Sequence, residues 1–292
     1  MNDHHAFQKT RDFLVCIDSD GCMFDTMELK HKECFCPAYI EHFGLQPISR
    51  YAREAWEFSN LYSYERGIHR LRSLLRSMDL LRVRKAVLER GFAVPALPNL
   101  RAYVLSGGKL SNDALQQYVL EHPEAKDIQT TIEWSEDVNA RVARMVHGVP
   151  PFPHARDGLQ MLRQYADIAV VSATPTAAIT SEWSEHGLAP YVTALCGQEM
   201  GSKQEIIARL QKEYPLGNTL MIGDALGDMQ AAHAANALFY PIRPGEEGES
   251  WAELPETAEQ FFSHTYLGKA ETGKISRFEH LLPKMPPWEA QA

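Results

Sequence analysis

The sequence lacks several things that would place it in a familiar class. No apolar stretch in its 292 residues approaches the length needed to cross a bilayer, so no membrane association is expected. Net positive charge is also missing. The formal balance of −9 argues against a general nucleic-acid binder, because phosphate backbones reward basic surfaces. Nor is there a disulfide framework. Five cysteines, at 16, 22, 34, 36 and 196, are an odd number at irregular spacing, and a reducing cytoplasm is the expected setting. Cys34 and Cys36 have no second Cys or His pair at zinc-site spacing, and a half-buried pair of helix cysteines is expected instead. Residues 1–13 are polar and carry no apolar core of a signal peptide. Internal repeats, low-complexity tracts and any sign of an obligate protein partner are absent too. What remains, 45% hydrophobic and 23% charged residues, is ordinary for a globular protein of one large or two average domains.

The apolar periodicity changes twice along the chain. Residues 13–17 read as a buried strand. From Glu28 to about His147 the spacing is helical, as in Tyr51, Ala55, Phe58 and Tyr62, or Val138, Val142 and Met145. The stiff segment Val149-Pro150-Pro151-Phe152-Pro153 marks a boundary. Beyond it, strands expected at 168–171, 192–196, 219–222 and 237–242 alternate with helices at 154–165, 175–186, 203–213 and 228–236. Such alternation predicts an α/β fold, a Rossmann-like doubly wound parallel sheet. Strand 13–17 belongs to that sheet, so the expected core comprises residues 1–26 and 151–292, with 27–150 an inserted α-helical cap domain. Residues 244–250 read as an acidic loop before a helix near 255–263.

Polar groups of a particular kind sit where the strands end. Asp18-Ser19-Asp20-Gly21 follows the first strand, and two acids leaving a buried strand need a cation, a proton or a substrate nearby. In isolation the string is also an ordinary turn. Ser172 follows the second strand, where either it or Thr174 has the alternative use of capping the next helix. Ser202 and Glu205 form a capping box that puts Lys203 in a first helical turn, a place the helix dipole disfavours for a cation. Gly223-Asp224-Ala225-Leu226-Gly227-Asp228 follows the strand at 219–222, and its two acids lie one helical turn apart.

DxD, then Ser, then Lys, then GDxxxD, in that order, resembles the haloacid dehalogenase-like superfamily. The resemblance implies Mg2+ held by Asp18, Asp224 and the backbone carbonyl of Asp20, with Asp228 either holding a metal-bound water or orienting Lys203. It implies Asp18 as a nucleophile that forms an aspartyl-phosphate and Asp20 as its general acid and base. Ser172 and the Ala173 amide would hold phosphoryl oxygens beside Gly21, and Lys203 would neutralise charge in the transition state. The segment Gly67 to Leu74 is similar to the GxxRxxSL cap segment of β-phosphoglucomutase, and Asp25-Thr26 matches the DT of that branch, which makes Arg70 the expected cap contact to substrate. The other basic residues between Arg66 and Lys85, Arg76 and Arg84 among them, are expected to face solvent. The function expected is a Mg2+-dependent phosphatase acting on a small phosphorylated metabolite, of the phosphoglycolate phosphatase and β-phosphoglucomutase-like branch. A phosphomutase shares every motif. A non-catalytic binding protein using the basic stretch 66–85 is the alternative of a different class.

Overall fold

The computed structural model describes residues 7–289, and the expectations that reach residues 1–6 and 290–292 lie outside it. The chain divides into two compact units. One takes the N-terminal part through Thr26 together with Gly148–Leu282, and the other takes Met27–His147 together with the residues from Pro283 onward.

The first unit is built on five parallel strands: β1 (Phe13–Ile17), β2 (Ala166–Val171), β3 (Ala194–Cys196), β4 (Thr219–Gly223) and β5 (Leu238–Pro241). Their order across the sheet is β3-β2-β1-β4-β5. Strands in the middle of such a sheet are covered on both faces and read as unbroken apolar runs, as β1 and β4 do. β2 starts two residues before its apolar run. Asp167 is buried inside it because Thr10, Arg11 and Tyr214 all donate hydrogen bonds to its carboxylate. β3 is shorter than expected, an edge strand only partly covered. β1 and β4 are neighbours without being consecutive, so the connections leave the sheet in opposite directions at their ends, the place where open α/β sheets take ligands.

The second unit is helical. Helices Ser49–Asn60, Arg70–Val83 and Lys126–Met145 enclose a core containing Phe35, Tyr39, Trp56 and Trp134. No helix among the described residues is long and apolar enough to cross a membrane. The fold is an α/β Rossmann-like core with an inserted helical cap domain.

Several expectations need correction. The acidic segment 244–250 is not all loop. A helix spans Glu247–Phe262 with Pro255 inside it, and Glu247 and Glu249 sit in its first turn, where acids suit the dipole. A further helix, Lys269–Leu281, was not expected; it docks through fully buried Phe278 and through Glu271, which accepts from the Phe239 N–H at 2.8 Å. Finally, the residues after 282 do not go with the α/β unit. The Tyr64 N–H donates to the Pro283 carbonyl at 3.0 Å, and the Trp288 ring packs edge-on against Phe58 at 5.7 Å. At the other boundary, residues 148–150 go with the α/β unit. Cys34 and Cys36 are fully buried rather than half-buried, and all five cysteines are free thiols.

Candidate active site

Each expected motif of the α/β unit is found at a strand end or a helix start. Asp18 directly follows β1, and its N–H donates to the Ile222 carbonyl of β4 at 3.0 Å, which ties the first motif to the fourth. Gly21 has φ +74°, a left-handed conformation that lets the chain turn sharply after the two acids. Its N–H donates to the Phe24 carbonyl at 2.9 Å. Lys203 is the first residue of helix Lys203–Leu210, and the capping box of Ser202 and Glu205 is present in full. Asp224 follows β4, and Asp228 lies in the first turn of helix Leu226–Ala234.

These side chains meet. One carboxylate oxygen from each of Asp18, Asp224 and Asp228 lies within 4.8 Å of the others, and the three residues are 6%, 2% and 1% exposed. Lys203 Nζ bridges two of them, 2.7 Å from Asp18 Oδ2 and 2.6 Å from Asp228 Oδ1. The other oxygen of Asp18 accepts from the Ser19 N–H at 2.8 Å. The other oxygen of Asp228 accepts from the Ala225 N–H at 3.1 Å. Glycine at 223 is what lets Asp228 approach the strand, because a Cβ there would fall 2.5 Å from the Asp228 side chain. That steric role is legible in the GD pair only once the helix is seen to fold back on β4.

Electrostatics follow from the burial. Removal from water pushes the Asp18 carboxyl well up, and Lys203 pulls it back while Asp228 and Asp224 add to the rise. Burial alone would discharge Lys203, but Asp18 and Asp228 outweigh it and lift its pKa above the ordinary lysine range. The cluster therefore holds a firmly charged ammonium, while Asp18 still lacks enough positive charge to ionise as readily as an exposed carboxylate.

Asp20 points elsewhere. Its two carboxylate oxygens accept from Thr26 Oγ1 at 2.5 Å and from Thr174 Oγ1 at 2.8 Å, and its side chain is not among the three clustered acids. Ser172 is buried beyond the end of β2; its N–H donates to the Cys196 carbonyl at 3.0 Å and its Oγ accepts from the Thr174 N–H at 3.2 Å. Ala173 is exposed beside it. Neither Ser172 nor Thr174 caps the following helix, Thr176–Glu185. Glu199 does that instead, accepting from the Thr176 N–H at 3.0 Å.

Arg70 belongs to the helical unit, where it opens helix Arg70–Val83. Its guanidinium donates to Ser135 Oγ at 3.1 Å and to Asn139 Oδ1 at 2.8 Å, and it lies 5.1 Å over the Phe35 ring. Desolvation lowers its pKa to about 10, so it stays a cation at neutral pH. The solvent-facing expectation for the rest of the basic stretch fails at Arg66 and Arg84, both buried. Arg66 donates to the Leu61 carbonyl at 3.0 Å. Arg84 pairs with Glu54 and stacks on Tyr51 and Trp288, at 4.7 and 4.2 Å. Arg76 and Arg82 have acidic partners in Glu65 and Asp79. The stretch is thus no continuous basic strip, which removes the main support for a nucleic-acid or partner-binding module.

Residues 14–236 match a family model described as haloacid dehalogenase-like hydrolase. Among solved structures, the chain is similar to a predicted phosphoglycolate phosphatase from Haemophilus somnus 129PT at 13% identity and a TM-score of 0.48, over 85% of this chain and 99% of that one. It is similar to a haloacid dehalogenase-like family hydrolase from Xanthomonas campestris at 13% identity and a TM-score of 0.43, over 87% and 97% of the two chains. A subfamily IA, variant 1 hydrolase of that superfamily from Geobacter sulfurreducens PCA gives 15% identity and a TM-score of 0.42, over 78% and 86%. No curated protein matches the chain significantly.

Proposed function

The chain belongs to the haloacid dehalogenase-like hydrolase family, and on that premise we propose that it is a Mg2+-dependent phosphatase that hydrolyses a small phosphorylated metabolite through an aspartyl-phosphate on Asp18. The observation that carries this reading is the buried cluster at the ends of β1 and β4, three carboxylates with Lys203 across two of them.

The donor set suits a hard dication, since every ligand atom in it is a carboxylate oxygen. Asp18 and Asp224 would hold the ion, with the Asp20 backbone carbonyl as a further donor. When bound, it would offset the negative charge that makes a phosphate ester resist attack. Asp228 accepts from Lys203 and from the Ala225 N–H, and we assign it to orienting the lysine.

In the first half-reaction an Asp18 oxygen forms a bond to phosphorus while the bond to the leaving oxygen breaks, and Asp20 gives that oxygen its proton. In the second, water attacks the same phosphorus and Asp20 takes its proton. Inorganic phosphate leaves and the Asp18 carboxylate is restored. Lys203 opposes the burial that disfavours the ionised form of Asp18 and neutralises charge building on the phosphoryl oxygens. Ser172 Oγ and the Ala173 N–H hold those oxygens, beside the turn at Gly21.

A panel of phosphorylated metabolites with Mg2+ tests the proposal, with free phosphate as the readout and EDTA as the control. Phosphate release that EDTA stops is the expected result. An isomerised ester in place of free phosphate would make the protein a phosphomutase, and no turnover of any ester would return it to the binding-protein class.

A further inference from the structure

The general acid of the proposed reaction is held by a residue outside the motif pattern. We infer that Thr174 is a positioning residue that aims the Asp20 carboxylate at the leaving oxygen, an inference that rests on the phosphatase reading.

The hydroxyl of Thr174 has one proton to give, and it gives it to Asp20 Oδ2 at 2.8 Å. The usual employment of a threonine at this place, capping the next helix, is already filled by Glu199, which accepts from both the N–H and the hydroxyl of Thr176. Nor can the backbone of Thr174 drift. Its N–H donates to Ser172 Oγ at 3.2 Å, and its carbonyl accepts from the Gln198 N–H at 3.1 Å. Pro175 follows and keeps Thr174 out of the helical region. Gly197 permits this close packing, since a Cβ there would fall 2.8 Å from the Thr174 carbonyl oxygen. On a fixed backbone, a β-branched side chain has few rotamers, so the hydroxyl is presented in one direction.

The consequence for Asp20 is geometric. Thr26 holds Oδ1 at 2.5 Å from the same chain segment. The second hydroxyl comes from beyond β2, 154 residues away, and fixes the plane. Ser172, proposed to touch the phosphoryl group, shares a hydrogen bond with Thr174. One short segment therefore sets both where the phosphoryl group sits and where the proton donor points. Proton transfer depends steeply on such alignment, and a displacement of about 1 Å costs on the order of a hundredfold.

The test uses the full chain with Mg2+ and a series of aryl phosphates from 4-nitrophenyl to phenyl, whose leaving oxygens need progressively more help from an acid. Thr174→Val keeps the shape and removes the hydroxyl. Its kcat/KM on phenyl phosphate should fall about tenfold to a hundredfold further than on 4-nitrophenyl phosphate, so that the dependence on leaving-group pKa steepens. Thr174→Ser should recover most of the loss, while Thr174→Val added to Asp20→Asn should cost nothing more, because the aimed group is already gone. A merely structural role would lower all members of the series together. If the valine variant does not fold, Thr174→Ala carries the same measurement. An unchanged slope with an active wild type overturns this inference alone. A wild type inactive on every aryl phosphate overturns the phosphatase reading with it.

Discussion

The two units put buried charge to different uses. In the α/β unit one group of buried charges, Asp18, Asp228 and Lys203 at the ends of β1 and β4, is matched atom to atom. In the helical unit the buried arginines serve the packing, while polar atoms without a hydrogen-bond partner occur in both units, the indole N–H groups of Trp56 and Trp134 in the helical one and the Thr257 hydroxyl and Gln260 Oε1 in the α/β one. Orphaned groups of this kind cost about 1–3 kcal/mol each. The contrast teaches where each kind of change should register. Removing a charge from the sheet end should alter chemistry and spare stability, whereas removing one from the helical unit should alter stability and spare chemistry on a small probe.

Asp18→Asn is the strongest test of that division. Loss of the nucleophile should lower turnover of 4-nitrophenyl phosphate by at least about a thousandfold, since an amide neither attacks phosphorus well nor binds Mg2+ strongly. Its melting temperature should hold or rise, because a desolvated carboxylate crowded by two others is removed. Substantial residual activity would break the mechanism, and a large drop in melting temperature would break the comparison. Asp224→Ala should come next. Its loss, about a hundredfold at low Mg2+, should shrink as Mg2+ is raised, which a titration of rate against metal concentration would show.

The helical unit supplies the converse. Arg84→Ala removes the partner of Glu54 and the cation stacked between Tyr51 and Trp288, and should cost about 2 kcal/mol in urea unfolding while leaving kcat on 4-nitrophenyl phosphate within about twofold. Arg76→Ala, whose partner Glu65 is half exposed, should be nearly silent in both.

A further effect concerns acid. Burial opposes ionisation of Asp167, but the hydroxyl and N–H of Thr10, the Tyr214 hydroxyl and the Arg11 N–H outweigh it and hold its carboxyl below the usual range. A depressed carboxyl contributes stability that is complete above its unfolded pKa of about 4 and disappears as pH falls through the folded value. Asp167→Asn should cost about 1–2 kcal/mol at neutral pH and flatten the decline in stability as pH falls below about 4. Parallel acid profiles for the two proteins would remove Asp167 from the account.

The sheet end was legible in the sequence because its chemistry is local. Each acid or lysine follows a strand or opens a helix, and runs such as Leu220-Met221-Ile222 announce the strand themselves. What escaped depends on partners far along the chain. Asp167 interrupts the apolar pattern of β2 and is explained only by Thr10 and Tyr214, while Arg84 looks solvent-facing until Glu54 and Trp288 are placed beside it. Pro255 reads as the start of a helix near 255–263, yet it sits within helix Glu247–Phe262. Thr174 was visible only as a candidate cap, since nothing local says that Glu199 has taken that task.

The return of the C-terminal residues to the helical unit bears on how separable that unit is. An insertion that leaves and rejoins its host once can in principle be exchanged between relatives as a single stretch. Here the helical unit has a second piece, beginning at Pro283, which follows the whole α/β unit along the chain. A graft of residues 27–147 alone would leave Phe58 and Arg84 without Trp288, and a truncation meant to tidy the C-terminus would damage the helical unit rather than the α/β fold to which those residues are joined. The unit of exchange is a pair of segments that must travel together.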